Sequence, residues 1–411
     1  MSEDKNINKE IKSGFISGNL PKARANHPYM TLISGDMLAT NPSVVHVLEE
    51  IGLHYFPDKN QITGIPKKSG SFDLHFNIRE YNELGNEELS THKYNLIVEE
   101  DFDPQLKHVD ENDPYWKPDE DVYTIAVNRN NKKRLKKDIA AASRRGYEHI
   151  EKGKIREDDF FIQYDPQTRW YALAVADGAG RSKYSRKGSK IACRSAVASC
   201  LEQLTEQSKE LKKLTIRYTW RRSNHISREI MGRLHDIIAS SVTDAYGDIV
   251  AEAKKIDYHP QEYATTLLMC ICKKFEFGWL IGAYGVGDGA ICVYHKDNWY
   301  TNLMVGNEHP SMRFFLTTPE VLQPTGMERR IRFTIVDDFT ALFLMTNGVK
   351  DPKFESKTSM PCIELWNRFW EDISSQVNFS GKINDVGEEL LKWLDFWTPG
   401  KYDDRTIAMV F

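Results

Sequence analysis

Trp170-Tyr171-Ala172-Leu173-Ala174-Val175-Ala176-Asp177-Gly178-Ala179-Gly180 is an apolar run that ends in an aspartate and a glycine. A short, continuously apolar run bounded by a turn signal predicts a buried β-strand. A carboxylate at the tip of such a strand is costly to desolvate unless something uses its charge. A hard divalent cation would do so, because Mg²⁺ and Mn²⁺ prefer carboxylate, carbonyl and water oxygens. Taken alone, Asp177-Gly178 also fits an ordinary turn.

Further strand ends carry acidic residues or glycines: Arg156-Glu157-Asp158-Asp159 before Phe160, Gly285-Val286-Gly287-Asp288-Gly289-Ala290, Thr346-Asn347-Gly348 after Met345, and Tyr402-Asp403-Asp404-Arg405-Thr406 before Ile407. The glycine-rich segment fits a dinucleotide-binding pattern, but that pattern needs a following helix. Residues 291–294 predict a strand instead. We therefore interpret the segment as a tight connection between antiparallel strands, with Asp288 at the turn.

The order of these motifs is acidic pair, Asp-Gly, Gly-Asp-Gly, Asn-Gly and Asp-Asp-x-Thr. Over residues 138–411 it resembles the metal-dependent serine/threonine protein phosphatases of the PP2C (PPM) family. Gly146 with His149, and Ser185 with Gly188, are similar to the divergent bacterial branch. The resemblance implies an α+β fold, in which an αββα sandwich of two antiparallel sheets is flanked by helix pairs. The metal site would lie at one rim.

Apolar residues at helical spacing predict long helices at 185–204 and 225–255, and two more at about 362–377 and 384–396. Strands are predicted at 264–273 and 277–286. This order of helices and strands fits the sandwich.

The resemblance implies two divalent ions, Mn²⁺ or Mg²⁺, and a catalytic role for Asp158 and Asp177. Asp177 would bridge the ions, Gly178 would offer its carbonyl to one of them, and Asp403 would bind the other. Glu157 would reach the first ion through water, while Asp158 would orient metal-bound water. An offset to Asp158 and Asp159 is the alternative, because this segment is shorter than in many relatives. Asp288 would contribute to a weaker third metal site.

Two residues depart from the family pattern. Asn347 stands where the family usually has an aspartate, so one metal would lose a negative ligand. Ala179 stands where eukaryotic members have a histidine that can protonate the leaving group. For phosphate binding the sequence points to Arg156 and His149. Arg144, Arg145 and Lys183 are rivals, and each of these cations also fits a solvated surface.

The chain divides into four predicted segments. Residues 1–27 are polar and predict a disordered N-terminus. Residues 28–100 show strand alternation at Phe72, Leu74 and Phe76, and residues 62–72 resemble an immunoglobulin-like module. Residues 101–137 predict an acidic, proline-containing linker and a basic cluster, and residues 138–411 the phosphatase domain. An unrelated β-rich extension is the alternative for the second segment.

Composition limits the partners of the chain. The net charge of -4 gives no bulk attraction to nucleic acid or anionic membranes. No apolar run approaches ~18 residues, so neither a membrane span nor a secretory signal is expected. The six cysteines form no Cys-x-x-Cys pair, which indicates reduced thiols and a cytoplasmic protein.

The leading interpretation is hydrolysis of phosphoserine or phosphothreonine on a protein substrate, with a serine/threonine kinase as the expected partner. Because of Asn347, activity would be reduced or lost. A pseudophosphatase that binds phosphoprotein without turnover is the alternative. Phosphatase chemistry on a small molecule is a third interpretation.

Overall fold

The computed structural model describes residues 17–33, 37–39, 42–81, 87–101, 109, 112–127, 136–304, 314–354, 362–396, 398 and 401–411. The chain divides into two compact units. The first comprises residues 1–103 and 397–400, and the second comprises residues 104–396 and 401–411. In the described part of the chain, no helix combines the length and the apolar character needed to cross a bilayer.

The first unit is rich in β-structure, as predicted for residues 28–100. Its elements are β1 (Ser17–Asn19), β2 (Ala23–Arg24), β3 (Tyr29–Leu32), β4 (Met37–Ala39), α1 (Pro42–Glu50), β5 (Leu53–Phe56), β6 (Gln61–Gly64), β7 (Gly70–Tyr81) and β8 (Glu87–Glu99). β7 and β8 form a long antiparallel hairpin, and β1 and β2 pair in parallel with β8. β3, β6 and β5 form a second sheet. The immunoglobulin-like interpretation stays a prediction.

The N-terminal segment differs in part from the sequence prediction. Residues 1–16 of the predicted disordered segment lie outside the described residues. Part of residues 17–27 forms the strands β1 and β2 instead, and both strands pair with β8.

The second unit alternates strands and helices. Its strands are β9 (Glu120–Ile125), β10 (Ile139–Arg144), β11 (Asp159–Tyr164), β12 (Tyr171–Ala176), β13 (Leu267–Phe275), β14 (Gly278–Val286), β15 (Ala290–His295), β16 (Trp299–Asn302), β17 (Ile331–Val336), β18 (Ala341–Met345) and β19 (Arg405–Val410). Its helices are α2 (Tyr147–Lys152), α3 (Ser185–Glu206), α4 (Ser208–Arg221), α5 (Asn224–Lys255), α6 (Pro324–Arg330), α7 (Asn347–Lys353), α8 (Ile363–Gln376) and α9 (Ile383–Trp393).

Two antiparallel sheets pack face to face in this unit. Their strand orders are β16-β15-β18-β19-β10-β9 and β11-β12-β13-β14-β17. Leu173 and Val175 of β12 share one apolar cluster with Leu344 of β18 and Ala408 of β19. The opposite face of β12 packs on helices, so the whole strand is buried, as its apolar sequence predicts.

Helices cover both outer faces of the sandwich. α3 and α5 pack on the five-stranded sheet, where Val197 and Ile237 belong to the same cluster as Ala174. α8 and α9 pack on the six-stranded sheet, where Trp366 and Leu390 share a cluster that includes β18 and β19 residues. The αββα sandwich is therefore confirmed. α3, α5, α8 and α9 lie within three residues of their predicted bounds.

The predicted linker at residues 101–137 differs from the structure over part of its length. Glu120–Ile125 form β9, which pairs antiparallel with β10 from Glu120↔Arg144 to Ile125↔Ile139. Upstream, Tyr115 packs with its ring edge against Tyr184 and donates or accepts a hydrogen bond with Tyr263. Acidic side chains on an exposed edge strand and an exposed turn explain why the sequence looked like a linker.

Candidate metal centre

The five-stranded sheet places two of the predicted acids side by side. Asp159, the first residue of β11, pairs with Ala176, the last residue of β12. Asp158 therefore lies just before β11, and Asp177 lies just after β12, which runs antiparallel to it. Both residues lie at the same edge of the sheet.

The six-stranded sheet contributes Asn347 and Asp403 in the same way. Met345, which ends β18, pairs with Ile407 near the start of β19. Asn347 follows the first strand and Asp403 precedes the second. The amide Nδ2 of Asn347 donates a hydrogen bond of 3.2 Å to Oδ2 of Asp403.

These acids converge across the two sheets. Burial is the largest effect on Asp177 and raises its pKa well above the usual range. The charges of Asp158, Asp403 and Asp288 raise that pKa further. The Thr346 hydroxyl, next to Asn347, donates to Oδ2 of Asp158 at 2.8 Å and so connects the two sheets. The structure therefore gathers the predicted acids at one rim of the sandwich.

The backbone around Asp177 is fixed by neighbouring threonines. Its N–H donates to Oγ1 of Thr266 at 2.8 Å, and its carbonyl accepts from the Thr266 N–H and the Thr265 hydroxyl. Gly178 follows in a close approach to α3, where an added Cβ would lie 2.9 Å from the Ser185 backbone. The Asp-Gly pair is therefore held rigidly, and its position depends on the glycine.

Two buried oxygens at the rim lack a hydrogen-bond partner. Oδ2 of Asp158 accepts from the Thr346 hydroxyl at 2.8 Å, while its Oδ1 has no partner. Oδ1 of Asn347 is also buried and unpartnered. Such acceptors are rare in folded proteins because leaving them unsatisfied costs stability. A cation or its coordinated water would satisfy both, so these residues fit a metal centre.

The donor set also limits how an ion would be held. Among the described residues, no three His, Cys, Asp or Glu side chains are close enough together to hold an ion by themselves. An ion here would complete its shell with backbone carbonyls, the Asn347 amide and water. Mg²⁺ commonly binds in this way, through one or two carboxylates and several waters.

Asp404 organises the rim from behind. Its carboxylate accepts hydrogen bonds from the N–H groups of Gly146 and Glu157, both at 2.6 Å, and from Nδ1 of His149 at 2.9 Å. Burial would raise the pKa of Asp404, but the charge and hydrogen bond of His149 lower it to about 2. Asp404 is therefore a buried anion that fixes the segment carrying Glu157.

The structure gives His149 a supporting role, which differs from the predicted phosphate binding. Its side chain is buried, and Nε2 lies 3.8 Å from Oε2 of Glu157. Burial opposes its protonation, but Asp404 and Glu157 raise its pKa to about 9. Because Asp404 lies 255 positions away in the sequence, the sequence alone did not show that this imidazole was already paired.

Arg156 likewise differs from its predicted phosphate-binding role. The side chain is 1% exposed. Its guanidinium donates to the Ser143 hydroxyl, to the Asp158 carbonyl at 3.0 Å and to the Pro118 carbonyl at 3.2 Å. It therefore supports the backbone of Asp158 from inside and does not face solvent.

Lys154 is an exposed cation at the same rim. Its Nζ donates to the Gly180 carbonyl at 3.2 Å, in the loop that follows Asp177-Gly178. Its charge acts to lower the pKa of Glu157, whose pKa is nevertheless raised, first of all by burial. The sequence prediction did not single out Lys154.

Asp288 lies in the turn between β14 and β15, as predicted. Gly287 adopts a φ of +115°, and a Cβ there would lie 2.4 Å from Cγ2 of Thr266. The carbonyl of Asp288 accepts from Nζ of Lys350. Asp288 acts on the pKa of Asp177 less than Asp158 and Asp403 do, which agrees with a peripheral place in the cluster.

Lys117 is a supporting residue that the sequence prediction missed. Its Nζ is buried and forms an ion pair of 2.9 Å with Asp159. It also donates to the Asp158 carbonyl and to the Ser189 hydroxyl, both at 3.0 Å. Lys117 thus connects the segment before β9 to the backbone of the acidic pair. One signal in the sequence was a lysine between Trp116 and Pro118 in an otherwise acidic stretch.

Replacing Lys117 with methionine is expected to lower the free energy of unfolding by about 3 kcal/mol, because Asp159 would remain as an unpaired buried charge. Urea unfolding would measure the change. The matched control is the double variant Lys117→Met/Asp159→Asn, which removes both charges and should recover most of the stability. A Lys117→Met protein as stable as the parent would contradict a structural role for the pair.

The chain matches the family described as Protein phosphatase 2C over residues 145–395. This span covers more than half of the sequence and contains the Asp-Gly, Gly-Asp-Gly and Asn-Gly motifs. A comparison with curated proteins finds no match.

Solved phosphatase structures are similar to the chain at low sequence identity. A bacterial serine phosphatase is 16% identical, with 66% of this chain and 96% of that chain covered and a TM-score of 0.38. Serine-threonine phosphatase 2C from Toxoplasma gondii is 14% identical, with 71% and 99% covered and a TM-score of 0.43. Serine/threonine phosphatase Stp1 from Staphylococcus aureus is 16% identical, with 72% and 94% covered and a TM-score of 0.35. Because these TM-scores and sequence identities are low, the similarities carry no weight in assigning a function.

Proposed function

The chain belongs to the protein phosphatase 2C family, and we propose that it hydrolyses phosphoserine or phosphothreonine on a protein substrate with divalent metal ions. One observation carries the proposal: strand pairing and the hydrogen bonds of Thr346 and Asn347 bring the acidic residues to one rim, where Asp158 and Asn347 each present a buried oxygen without a partner. Phosphate release from a phosphoserine peptide, measured with Mn²⁺ and again with a chelator, tests it. Chelator-sensitive release supports the proposal, whereas release that the chelator leaves unchanged contradicts it.

Each residue at the rim would have a defined task. Asp177, Asp403, the Gly178 carbonyl and the Asn347 amide oxygen would hold two ions, Mn²⁺ or Mg²⁺, with Glu157 acting through water. When bound, the ions would acidify a water molecule and neutralise charge on the phosphoryl oxygens.

Asp158 would orient the attacking water and accept its proton, supported by Thr346, which fixes the other carboxylate oxygen. Asp288 would hold a weaker third ion. Arg156, His149 and Asp404 would keep the acidic pair in place.

We assign phosphate binding to Lys154. It is exposed, lies next to the Asp-Gly loop and carries a charge that acts on Glu157. A phosphomonoester that reaches the rim would meet this ammonium group before the buried Arg156.

Lys154→Met, made in an Asn347→Asp background to give a measurable rate, is expected to raise the KM for p-nitrophenyl phosphate about tenfold, because a hydrogen bond to a charged group would be lost. Steady-state kinetics at saturating Mn²⁺ would measure it. Lys152→Met is the matched control, since Lys152 is an exposed lysine of α2 that pairs with Glu148. Equal KM values for the Lys154→Met and Lys152→Met variants would contradict phosphate binding by Lys154.

Asn347 supports an alternative function, a pseudophosphatase that binds phosphoprotein without turnover. Its amide brings no negative charge and already donates to Asp403, which would otherwise serve a metal. We therefore propose that one metal site is weakened and that catalytic activity is attenuated. Tight phosphopeptide binding without phosphate release would favour the pseudophosphatase.

A protein substrate is further supported by the presence of a compact first unit in addition to the phosphatase unit. We propose that it is an immunoglobulin-like module and that a serine/threonine kinase is the signalling partner, as in bacterial members of the family. The cysteines are unpaired, and five of the six are buried. Free thiols support a reducing compartment, the cytoplasm.

A further inference from the structure

A second concave site lies at the other end of the sandwich from the acidic rim. This groove has a volume of about 1140 Å³ and is lined by Trp170, Tyr171 at the start of β12, Phe275 at the end of β13 and parts of α4. Asp177 follows the opposite end of β12. At about 3.3 Å per residue, the groove and the rim are about 20 Å apart.

The groove has an apolar floor and cationic walls. Trp170, Tyr171 and Trp279 form the floor and are each 2% exposed. Its lining contains six basic side chains among the described residues: Lys136, Arg169, Lys209, Lys212, Lys273 and Lys274. Glu276 is the one acidic residue among those that line it. This local excess of positive charge contrasts with the net charge of -4 for the whole chain.

α4 presents a mixed stripe to the groove. Leu211 and Leu214 anchor the helix in the core. Lys212, Ile216 and Trp220 are four residues apart and therefore share one helix face. Ile216 is 50% exposed and Trp220 is 82% exposed, so this face offers large apolar surfaces beside cations.

The cations crowd one another. Burial and the nearby charges of Arg169 and Lys212 lower the pKa of Lys273 to about 8, although Asp165 opposes them. Nζ of Lys273 lies 4.9 Å from the ring centre of Phe275. Carboxylates placed in the groove would relieve this repulsion.

We propose that this groove docks an acidic peptide segment of a partner protein, with an apolar side chain of that segment packed on Ile216 and Trp220. Lys209, Lys212 and Lys273 would pair with its carboxylates. A single-stranded nucleic acid fits less well, because successive bases need several exposed rings to stack on, and Trp220 is the one ring among the described lining residues that is largely exposed. Docking here leaves the acidic rim open and does not depend on the proposed catalysis.

Fluorescence anisotropy with a labelled peptide that alternates Asp and Glu with Leu and Phe tests the proposal. Trp220→Ala and Lys212→Glu are each expected to weaken binding about tenfold, as expected for central contacts of an interface. Lys213→Glu is the matched control: it makes the same charge change on α4, but Lys213 does not line the groove and its side chain is 70% exposed. Hydrolysis of p-nitrophenyl phosphate, measured for each variant in the Asn347→Asp background, should be the same.

Three results would overturn the proposal: absence of binding to the parent protein, equal weakening by Lys213→Glu and Lys212→Glu, or oligouridine binding more tightly than the peptide at the same groove. An Asn347→Asp protein that binds the peptide but hydrolyses no phosphoester would support docking and contradict the proposed function. The two proposals therefore fail separately.

Discussion

Asn347→Asp is expected to raise Mn²⁺-dependent hydrolysis of p-nitrophenyl phosphate by about 100-fold or more, because a carboxylate ligand adds several kcal/mol of stabilisation to a divalent ion and about 1.4 kcal/mol corresponds to tenfold. The amide of Asn347 now donates to Oδ2 of Asp403 and leaves its own oxygen unpartnered. A carboxylate would replace this hydrogen bond with repulsion, which a bound cation would reverse.

The fold should survive this change, because Asp and Asn have nearly the same shape. The metal-free variant should be less stable than the parent protein, and saturating Mn²⁺ should remove that difference. Asn384→Asp, at an exposed position of α9, is the matched control and should leave the rate unchanged. If the parent and the Asn347→Asp variant turn over equally fast at saturating Mn²⁺, position 347 is not a metal ligand.

Asp177→Asn is expected to lower Mn²⁺ affinity at both sites by at least about tenfold, since the shared ligand would lose its charge. Its backbone is held by Thr265 and Thr266, so the loop should keep its shape. Calorimetric titration would give affinity and stoichiometry. Asp236→Asn is the control, because the Asp236 side chain is 83% exposed and lies on α5. Unchanged binding in Asp177→Asn would place the metals elsewhere.

The buried strand and the long helices could be predicted from local pattern, whereas the αββα arrangement was implied by the family resemblance. A continuous apolar run followed by Asp177-Gly178 identified the buried strand β12, and helical spacing located α3, α5, α8 and α9. These features depend on residues close together in the sequence, where periodicity is informative. The set of acidic residues followed from motif order and not from spacing within any one segment.

The roles of the cations could not be predicted in this way. Arg156 and His149 have suitable chemistry for phosphate, but Ser143 and Asp404 engage them in the interior. Whether an arginine faces a ligand or the core depends on packing by distant segments. Lys117 was missed for the same reason, because its surroundings in the sequence are acidic and its partner Asp159 lies at the start of β11.

The most direct measurement compares the Mn²⁺-dependent hydrolysis rate of Asn347→Asp with that of the double variant Asn347→Asp/Asp177→Asn. If the rim is the catalytic centre, the single variant should be active and the double variant should fall to the rate of the metal-free reaction. Equal rates for the two proteins would show that phosphoester hydrolysis does not take place at Asp177 and would contradict the proposed metal centre.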